Sequence, residues 1–275
     1  MAAGFHNADA TEIARLTRTL TAARVVDGQA ELESIHASEP WRIRVSARGD
    51  AAVVSRWRDH LPYLAIDALW CPVTRIGDAL ADIRAVADTQ GFTDIVSPPT
   101  PVEEMHPYVA EGMRPCVILA TYQRSHLAEA AGRSAVEGIV VRTADPDDLR
   151  VLLDIDARCF DSFWRYDARH LSRFFASSRL AIAEQNGEAL GYTLCTVSGS
   201  EGLLGRLCVV PERRREGIGS VLLSDTVHYV CGQGGQRVLL STQTENAVSQ
   251  RLYRGAGFRD TGRRYAFLRD GRDGA

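Results

Sequence analysis

The sequence predicts an α/β protein of two domains, each with a central mixed β-sheet flanked by helices. Two observations support this fold class. Strand-like and helix-like segments alternate along the second half, and the first half contains a fainter copy of the end of that pattern. A chain of 275 residues has room for two domains of about 100–200 residues each. We therefore expect a first domain over residues 1–130, a linker over 131–137 and a second domain over 138–275.

The boundary between the domains is predicted from composition. Residues 124–138 are rich in Ala, Ser, Gly and charged residues and poor in large apolar ones. This composition is typical of a connection between domains, because such a segment cannot bury much apolar surface.

The second domain is predicted element by element from apolar periodicity and from residues that start or stop helices. Its strands are expected over residues 138–142, 180–184, 188–197, 202–210, 237–241 and 263–268. Its helices are expected over residues 145–159, 167–177, 218–231 and 245–254. Asp145-Pro146 and Thr244 mark two helix starts, and Gly255 and Gly257 mark the end of the last helix.

The first half repeats part of this pattern. Tyr108 precedes Gly112 by four residues, as Tyr253 precedes Gly257, and a strand-like segment follows each. A repeated spacing of this kind indicates that one fold has been duplicated.

The basic residues exclude several enzyme classes. All 32 are arginines, and the chain contains no lysine. Schiff-base enzymes, pyridoxal-phosphate enzymes, P-loop nucleotidases and protein kinases all require a lysine amine. The protein therefore belongs to none of these classes.

Cysteine usage and hydropathy bear on compartment. The six cysteines are scattered, with no C-x-x-C pair and no histidine at zinc spacing. We expect reduced thiols in a cytoplasmic protein and no metal site. Residues 1–7 lack the apolar core of a signal peptide, and no stretch approaches the ~18 apolar residues of a membrane span. No membrane partner is expected.

Positive charge is concentrated towards the end of the chain. Residues 206–269 contain 11 arginines and 5 acidic residues, whereas the net charge of the whole chain is −3. This distribution predicts either a phosphorylated ligand that binds to the C-terminal part or simply a solvated, charged face. Nucleic acid is not expected as a partner, because the whole chain is acidic and its arginines are not interleaved with aromatic residues.

The most informative local pattern lies at residues 207–223. A buried strand ends at Pro211, a turn of arginines with two glycines follows, and a helix begins near Gly219. Exposed amides at a helix N-terminus attract anions, and glycine lets the backbone approach a phosphate closely. A dinucleotide-binding loop is not indicated, since Leu222 stands where its third glycine would fall.

Two motifs in this region carry a family resemblance. Residues 214–219, Arg-Arg-Glu-Gly-Ile-Gly, fit R-x-x-G-x-G, and residues 253–258 fit Y-x-x-x-G-F at the expected distance. Through these motifs the sequence over about residues 138–269 resembles the GNAT superfamily of N-acetyltransferases. The resemblance implies two GNAT-like domains in tandem and acetyl-CoA as co-substrate.

The resemblance also implies a role for each matching residue. The main chain of one strand would pair with the pantetheine arm and the thioester, at Leu207, Cys208 and Val209. The amides of the next turn would hold the pyrophosphate, at Arg214, Arg215, Glu216, Gly217, Ile218, Gly219 and Ser220. From the following helix Asn246 would contact the cofactor, and Tyr253, two turns later on the same face, would point at the sulfur.

The implied reaction is direct attack of a primary amine, in a small molecule or at a protein N-terminus, on the thioester within a ternary complex. A phenol with an ordinary pKa of about 10 could protonate the leaving thiolate, which is the role implied for Tyr253. A strongly basic amine would also need a general base. Glu184, Glu201, His170 and water are all open candidates.

The segment between the first two helices of the second domain, residues 160–167, contains four aromatic residues. It resembles the aromatic loop of ribosomal-protein N-terminal acetyltransferases, which implies that Phe163 and Trp164 wall the acceptor site. Alternatively, these rings pack the two helices onto the sheet.

The first half departs from the family pattern. Four positions separate Pro72 from Ile76, against seven from Pro211 to Ile218, so three loop residues, including a glycine, are missing. We therefore expect the first half to be degenerate and to bind no acetyl-CoA, a layout similar to that of mycothiol synthases. The alternative from another class is a non-catalytic acyl-CoA-binding or sensor module. The sequence leaves open whether the chain is a monomer or a homodimer.

Overall fold

The computed structural model describes residues 4–22, 29–127 and 135–271. The chain divides into two compact units. The first unit comprises Met1–Trp57, Leu61–Ile118 and Tyr265–Ala275, and the second comprises Arg58–His60 and Leu119–Arg264.

The described residues of the first unit form a sheet and four α-helices. Its strands are β1 (Phe5–Asn7), β2 (Ile43–Ser46), β3 (Ala51–Arg58), β4 (Leu61–Trp70), β5 (Asp94–Val96) and β6 (Thr100–Pro101). Its helices are α1 (Ala10–Ala22), α2 (Gln29–Ser38), α3 (Ile76–Gln90) and α4 (His106–Ala110). The strand order is β1-β2-β3-β4-β5, with β4 and β5 parallel. Ile76, Leu80 and Ile83 of α3, spaced three to four residues apart, form one buried helix face in this unit's core.

The strands that follow along the chain lie wholly or mostly in the second unit. They are β7 (Arg114–Ser125), β8 (Val140–Thr143), β9 (Arg179–Gln185), β10 (Glu188–Ser198), β11 (Glu201–Val209), β12 (Arg237–Gln243) and β13 (Arg259–Arg269). Its helices are α5 (Leu149–Cys159), α6 (Ala168–Ser177), α7 (Ile218–Gly232) and α8 (Ala247–Gly255). The order β7-β12-β11-β10-β9-β8 has β11 and β12 parallel and its other neighbours antiparallel.

Helices cover both faces of the second unit's sheet. Leu152 of α5 and Leu171 of α6 pack with Tyr192 of β10 in one cluster. Val227 of α7 and Tyr253 of α8 belong to a separate cluster. It includes strand residues whose side chains point to the other face of the sheet. The alternation of side chains along each strand accounts for two cores on either side of one sheet.

Every strand and helix expected over residues 138–269 is present, with shifted ends. The helix expected from Asp145 begins with a 3₁₀ turn, capped by the Asp145 side chain, before α5. Helix α8 begins at Ala247 with Asn246 as its N-cap, so the expected start at Thr244 was wrong. The reason is local, since the Asn246 side chain accepts a hydrogen bond from the Ser249 amide.

Two strands belong partly to each unit. Residues 114–118 of β7 fall in the first unit and its remainder in the second, whereas residues 265–269 of β13 fall in the first. The compact units therefore do not follow chain order, and the assignment of residues 1–130 and 138–275 as two copies of one domain stays a prediction. Of the linker predicted over residues 131–137, residues 131–134 lie outside the described residues. The preceding strand, β7, extends to Ser125.

Within the described residues, no helix is both long and apolar enough to cross a membrane. The described part of the chain also holds no group of three His, Cys, Asp or Glu side chains that could bind a metal ion. All six cysteines are free thiols.

Candidate active site

A β-bulge interrupts β11 at Gly205. In the register with β10, residues 194 and 195 pair with Arg206 and Leu204, which leaves Gly205 as an extra residue. A bulge bends its strand and increases the local twist. β11 therefore changes direction halfway along its length.

Beyond the bulge, one edge of β11 is open. The last pair that β11 makes with β12 joins Leu204 to Leu240. β11 continues through residues 205–209, and no described strand pairs with this edge there. Main-chain groups on an unpaired strand edge can hydrogen-bond an extended ligand. The predicted pantetheine-binding residues Leu207, Cys208 and Val209 all lie on this stretch.

The turn between β11 and α7 holds a row of unused amides. None of the five amides from Arg215 to Gly219 donates to an acceptor among the described residues. The amides at the ends of the predicted cradle, on Arg214 and Ser220, instead bond to the Pro211 and Gly217 carbonyl oxygens. Consecutive free donors at the positive end of a helix form an anion site.

The glycines of this turn are required by conformation and by close packing. Gly217, the N-cap of α7, has φ +83°, and a Cβ there would lie 2.9 Å from Val136 Cγ2. A Cβ on Gly219 would lie 3.3 Å from Leu252 Cδ2 of α8. A side chain at Gly217 would strain the backbone, since the left-handed region disfavours residues with a Cβ, and one at Gly219 would require Leu252 to shift.

The three arginines of the turn differ in their partners. Arg213 is bound within the protein, because its guanidinium donates to Glu216 at 2.9 Å and to Gln185 at 2.5 Å. Arg214 Nε donates to the Val209 carbonyl oxygen at 3.1 Å. Arg215 is exposed and adopts φ +69°, an uncommon conformation for a non-glycine residue.

Tyr253 of α8 is buried. Its ring centroid lies 6.2 Å from that of Tyr122 and 6.1 Å from that of Phe258. Burial raises the pKa of the phenol to about 12, although a hydrogen bond with Ser249 opposes the shift. The hydroxyl is therefore protonated at neutral pH and can act only as a proton donor there.

Asn246 has a structural task that sequence reasoning did not assign to it. As the N-cap of α8, its Oδ1 accepts the Ser249 amide at 3.0 Å. Its Nδ2 group can still donate to a cofactor, and Oδ1 keeps one further lone pair.

The aromatic segment 160–167 packs partly against α6. Tyr166 packs on Phe174 of α6 with centroids 5.5 Å apart, which agrees with the packing alternative. Phe163 and Trp164 lie edge to face, with centroids 5.0 Å apart. Their role as the acceptor wall stays a prediction.

Two of the three candidate bases are engaged elsewhere. Glu184 bonds to Arg142 at 2.7 Å, and Glu201 forms an ion pair with Arg237. Glu201 also stands six residues before Leu207, about 20 Å away along an extended strand. Neither glutamate is therefore positioned as a base.

His170 is differently placed, on α6 next to the aromatic segment. Its Nδ1 lies 2.8 Å from Asp167 Oδ1, and its Nε2 lies 3.4 Å from Arg58 Nη1. Burial lowers the pKa of His170, an effect that Asp167 opposes and Arg58 reinforces. The ring is therefore neutral near pH 7, with Nδ1 directed at Asp167 and Nε2 at the Arg58 guanidinium.

Sequence reasoning missed a buried ion pair beneath this segment. Arg206 of β11 lies with Nε 3.2 Å from Asp156 Oδ2, and the Asp156 carboxylate also accepts a hydrogen bond from the Tyr192 hydroxyl. The available signal was an arginine inside the apolar run 203–210.

The corresponding region of the first unit is filled by its own acidic groups. Arg75, which precedes α3, is held by Asp50 at 2.5 and 2.9 Å. A Cβ on Gly77 would lie 2.6 Å from Glu111 Oε1, so a carboxylate covers the start of α3. An incoming pyrophosphate would meet negative charge at this place.

The repeated tyrosines adopt the same local structure. Tyr108 O accepts the Met113 amide at 3.1 Å, and Tyr253 O accepts the Phe258 amide at 3.0 Å. Gly112 and Gly257 both have positive φ, at 92° and 81°. Burial raises the pKa of Tyr108 to about 12, the value found for Tyr253. These parallels agree with a duplication of one fold.

In the second unit, a parallel strand pair thus opens beside a helix start with free amides. Residues 149–258, which lie in this unit, match the model of the acetyltransferase (GNAT) family.

A curated relative and two solved structures extend the likeness. Mycothiol acetyltransferase from Clavibacter sepedonicus is 27% identical over 150 residues, which are 50% of this chain and 49% of that protein. The chain thus matches about half the length of the curated relative.

The two structures cover most of the chain. A GCN5-related N-acetyltransferase from Sphaerobacter thermophilus has a TM-score of 0.65 at 19% identity, covering 96% of this chain and 94% of the other. A tandem GNAT protein from the clavulanic acid biosynthesis pathway has a TM-score of 0.63 at 18% identity, covering 85% and 82%. These likenesses show that the chain has the tandem GNAT fold.

Proposed function

We propose that this protein is an acetyl-CoA-dependent N-acetyltransferase that acetylates a primary amine by direct attack within a ternary complex. The observation that carries the proposal is the open edge of β11 leading into the unused amides at the start of α7. An elongated ligand with amide groups and a terminal diphosphate has the chemistry that these two features complement.

Binding would use main-chain groups more than side chains. Residues 207–209 of the open edge would pair with the pantetheine amides, and the amides of residues 215–219 would bind the pyrophosphate. Arg214 and Arg215, which belong to the same turn, would add positive charge that does not vary with pH. Asn246 Nδ2 would donate from the start of α8.

Tyr253 would supply the proton for the leaving thiolate. Its pKa of about 12 keeps the phenol protonated at neutral pH. The neutral amine adds to the thioester carbonyl, the carbon–sulfur bond then breaks, and the departing sulfur takes the phenolic proton. The proton that the nitrogen loses on becoming an amide restores the phenol, directly or through water.

The acceptor must lose a proton to attack. For an amine of pKa about 10.4 this costs about 4.6 kcal/mol at pH 7, and for an α-amine near 8 only about 1.4 kcal/mol. Of the protein's own candidates, His170 has the neutral ring and the Asp167 partner that a base requires, and it would serve only after Arg58 moves away from its Nε2. Water serves a weakly basic amine.

The acceptor class we propose is a primary amine of a small molecule, with a protein N-terminus as the other possibility. The name of the curated relative, a mycothiol acetyltransferase, supports a small molecule. Phe163 and Trp164 would contact the acceptor. We propose that the first unit binds no acetyl-CoA, because Asp50 and Glu111 already supply negative charge beside α3.

The test is transfer of [¹⁴C]acetyl groups from acetyl-CoA to a panel of glucosamine, kanamycin and peptides with a free α-amine. Time-dependent labelling of any member supports the proposal. Tight acetyl-CoA binding without labelling of any amine would contradict it and favour a non-catalytic sensor.

A further inference from the structure

Arg206 is a buried arginine on β11. It follows the Gly205 bulge directly and precedes the open stretch 207–209, so it lies where the strand bends. Only 8% of the residue is exposed, although arginine is among the residues least often buried. A charged group that is buried does not serve solubility, so the position of this guanidinium needs another explanation.

The guanidinium is enclosed by the aromatic segment 160–167. Its central carbon lies 4.0 Å from the centroid of the Phe160 ring and 3.7 Å from that of Tyr166. Its Nη2 donates to the Trp164 carbonyl oxygen at 2.7 Å. One side chain thus contacts the beginning, middle and end of the segment.

Asp156 of α5 completes the arrangement. The carboxylate is fully buried, with one oxygen 3.2 Å from Arg206 Nε and the other accepting the Tyr166 amide at 2.7 Å. The contact with Nε lacks hydrogen-bond geometry, so that buried nitrogen has no hydrogen-bond acceptor within the described residues. Buried ion pairs of this kind often stabilise a fold no more than apolar residues would. The pair is therefore better explained by the geometry that it imposes.

Only arginine has the shape that this place requires. A guanidinium is flat, so it can face two aromatic rings while its edge donates hydrogen bonds. A lysine ammonium would retain the charge beside Asp156 but could not stack on both rings. Charge and shape can thus be separated by substitution.

We propose that Arg206 is a positioning residue that fixes the 160–167 segment in the conformation that receives the acceptor amine. The main chain next to Arg206 forms the open edge, so a single residue joins the acetyl-donor strand to the acceptor segment. The acceptor part of this inference rests on the proposed function, whereas the fixing of the segment does not.

The test uses two variants and a matched control. Arg206→Lys keeps the charge and loses the flat group. The double variant Asp156→Asn with Arg206→Met removes both charges, so that no carboxylate is left buried alone. The control is Arg179→Lys, since Arg179 also pairs with a carboxylate, Asp225 at 2.6 Å, and stacks on Tyr229 at 4.7 Å, but on β9.

Hydrogen exchange followed by mass spectrometry measures the segment directly. We expect exchange in peptides covering residues 160–167 to rise at least tenfold in both Arg206 variants. Peptides covering residues 215–221 should keep their rates, as should the 160–167 peptides of the control. Unchanged exchange in the 160–167 segment overturns the proposal, whatever the enzyme's activity.

Steady-state kinetics then distinguish a loss of acceptor positioning from a general loss of structure. With the best acceptor among glucosamine, kanamycin and an α-amino peptide, KM for the amine should rise at least tenfold in the Arg206 variants. The Kd for acetyl-CoA should stay within threefold of that of the wild type. Faster exchange with an unchanged amine KM overturns the acceptor role. If the wild type acetylates no amine, the proposed function fails while the exchange result still decides whether Arg206 fixes the segment.

Discussion

Leu204 and Leu240 form the last pair between β11 and β12. One residue later Gly205 bulges out of the register with β10, and β11 continues to Val209 paired with β10 but no longer with β12. The bend and the loss of pairing occur together because a bulge turns the strand away from its neighbour. The proposed donor site begins at this point and ends at the unused amides of residues 215–219.

Gly217→Ala should weaken acetyl-CoA binding by at least about tenfold, equivalent to about 1.4 kcal/mol. The new Cβ would meet Val136 at 2.9 Å and would have to adopt φ +83°, so the amide row would shift. Calorimetric titration with acetyl-CoA measures the change.

Gly187→Ala is the matched control for this variant. Gly187 has φ +80°, and a Cβ there would meet nothing within 4 Å. Both variants should lose about 1–2 kcal/mol of stability from backbone strain. Equal acetyl-CoA affinities in the two variants would remove the turn from the binding site.

Tyr253→Phe should lower turnover by about 10²–10⁴-fold, the range typical of acid catalysis, with little change in the Kd for acetyl-CoA. Phenylalanine keeps the packing against Tyr122 and Phe258 but has no proton to donate. Tyr108→Phe, the equivalent change in the first unit, should leave turnover as it is. A Tyr253→Phe enzyme as fast as the wild type would exclude the tyrosine as the acid.

One acetyl-CoA should bind per chain. Gly219→Asp, which places a carboxylate among the free amides and against Leu252, should abolish all binding rather than half of it. Gly77→Ala should change nothing, because only the flexible end of Glu111 has to move aside. A calorimetric stoichiometry of two sites would contradict the proposal that the first unit binds no acetyl-CoA.

The folded protein should lose stability at alkaline pH through Tyr253. Burial raises the pKa of this phenol from about 10 in the unfolded chain to about 12 in the folded one. The stability that the protonated phenol contributes is therefore complete below pH 10 and is lost as the pH rises towards 12. The loss is about 1.4 kcal/mol at pH 11.

Urea unfolding at pH 9 and pH 11 measures this loss. Tyr253→Phe should show a decrease in unfolding free energy about 1.4 kcal/mol smaller than that of the wild type. The experiment is favourable in this chain, which has no lysine to titrate over the same range. An equal decrease in unfolding free energy between pH 9 and pH 11 in both proteins would contradict the raised pKa of Tyr253.

The sequence predicted the elements of the second unit and its anion-binding turn because both depend on local signals. Helix α7 begins at Ile218 as expected, since glycines and the end of an apolar strand define a turn without reference to the rest of the chain. The expected start of α8 failed by a few residues for a local reason as well, because Thr244 and Asn246 are both suitable caps.

The candidate bases could not be distinguished from the sequence alone. Glu184, Glu201 and His170 looked equivalent as residue types, and only the fold showed that the two glutamates have arginine partners. An ion pair depends on which strands are neighbours, and this information is not present in the local sequence.

The sequence by itself determined the tandem α/β fold class, the glycine-rich turn and the absence of every lysine-dependent chemistry. Only the tertiary structure decided that β11 opens from β12 after Leu204, that Asp50 and Glu111 fill the first unit's counterpart, and that Arg206 lies within the aromatic segment. The physical reason is that helix starts and turns arise from neighbours in the chain. Strand register, charge pairing and ring stacking instead join residues far apart in sequence, and they exist only when the chain is folded.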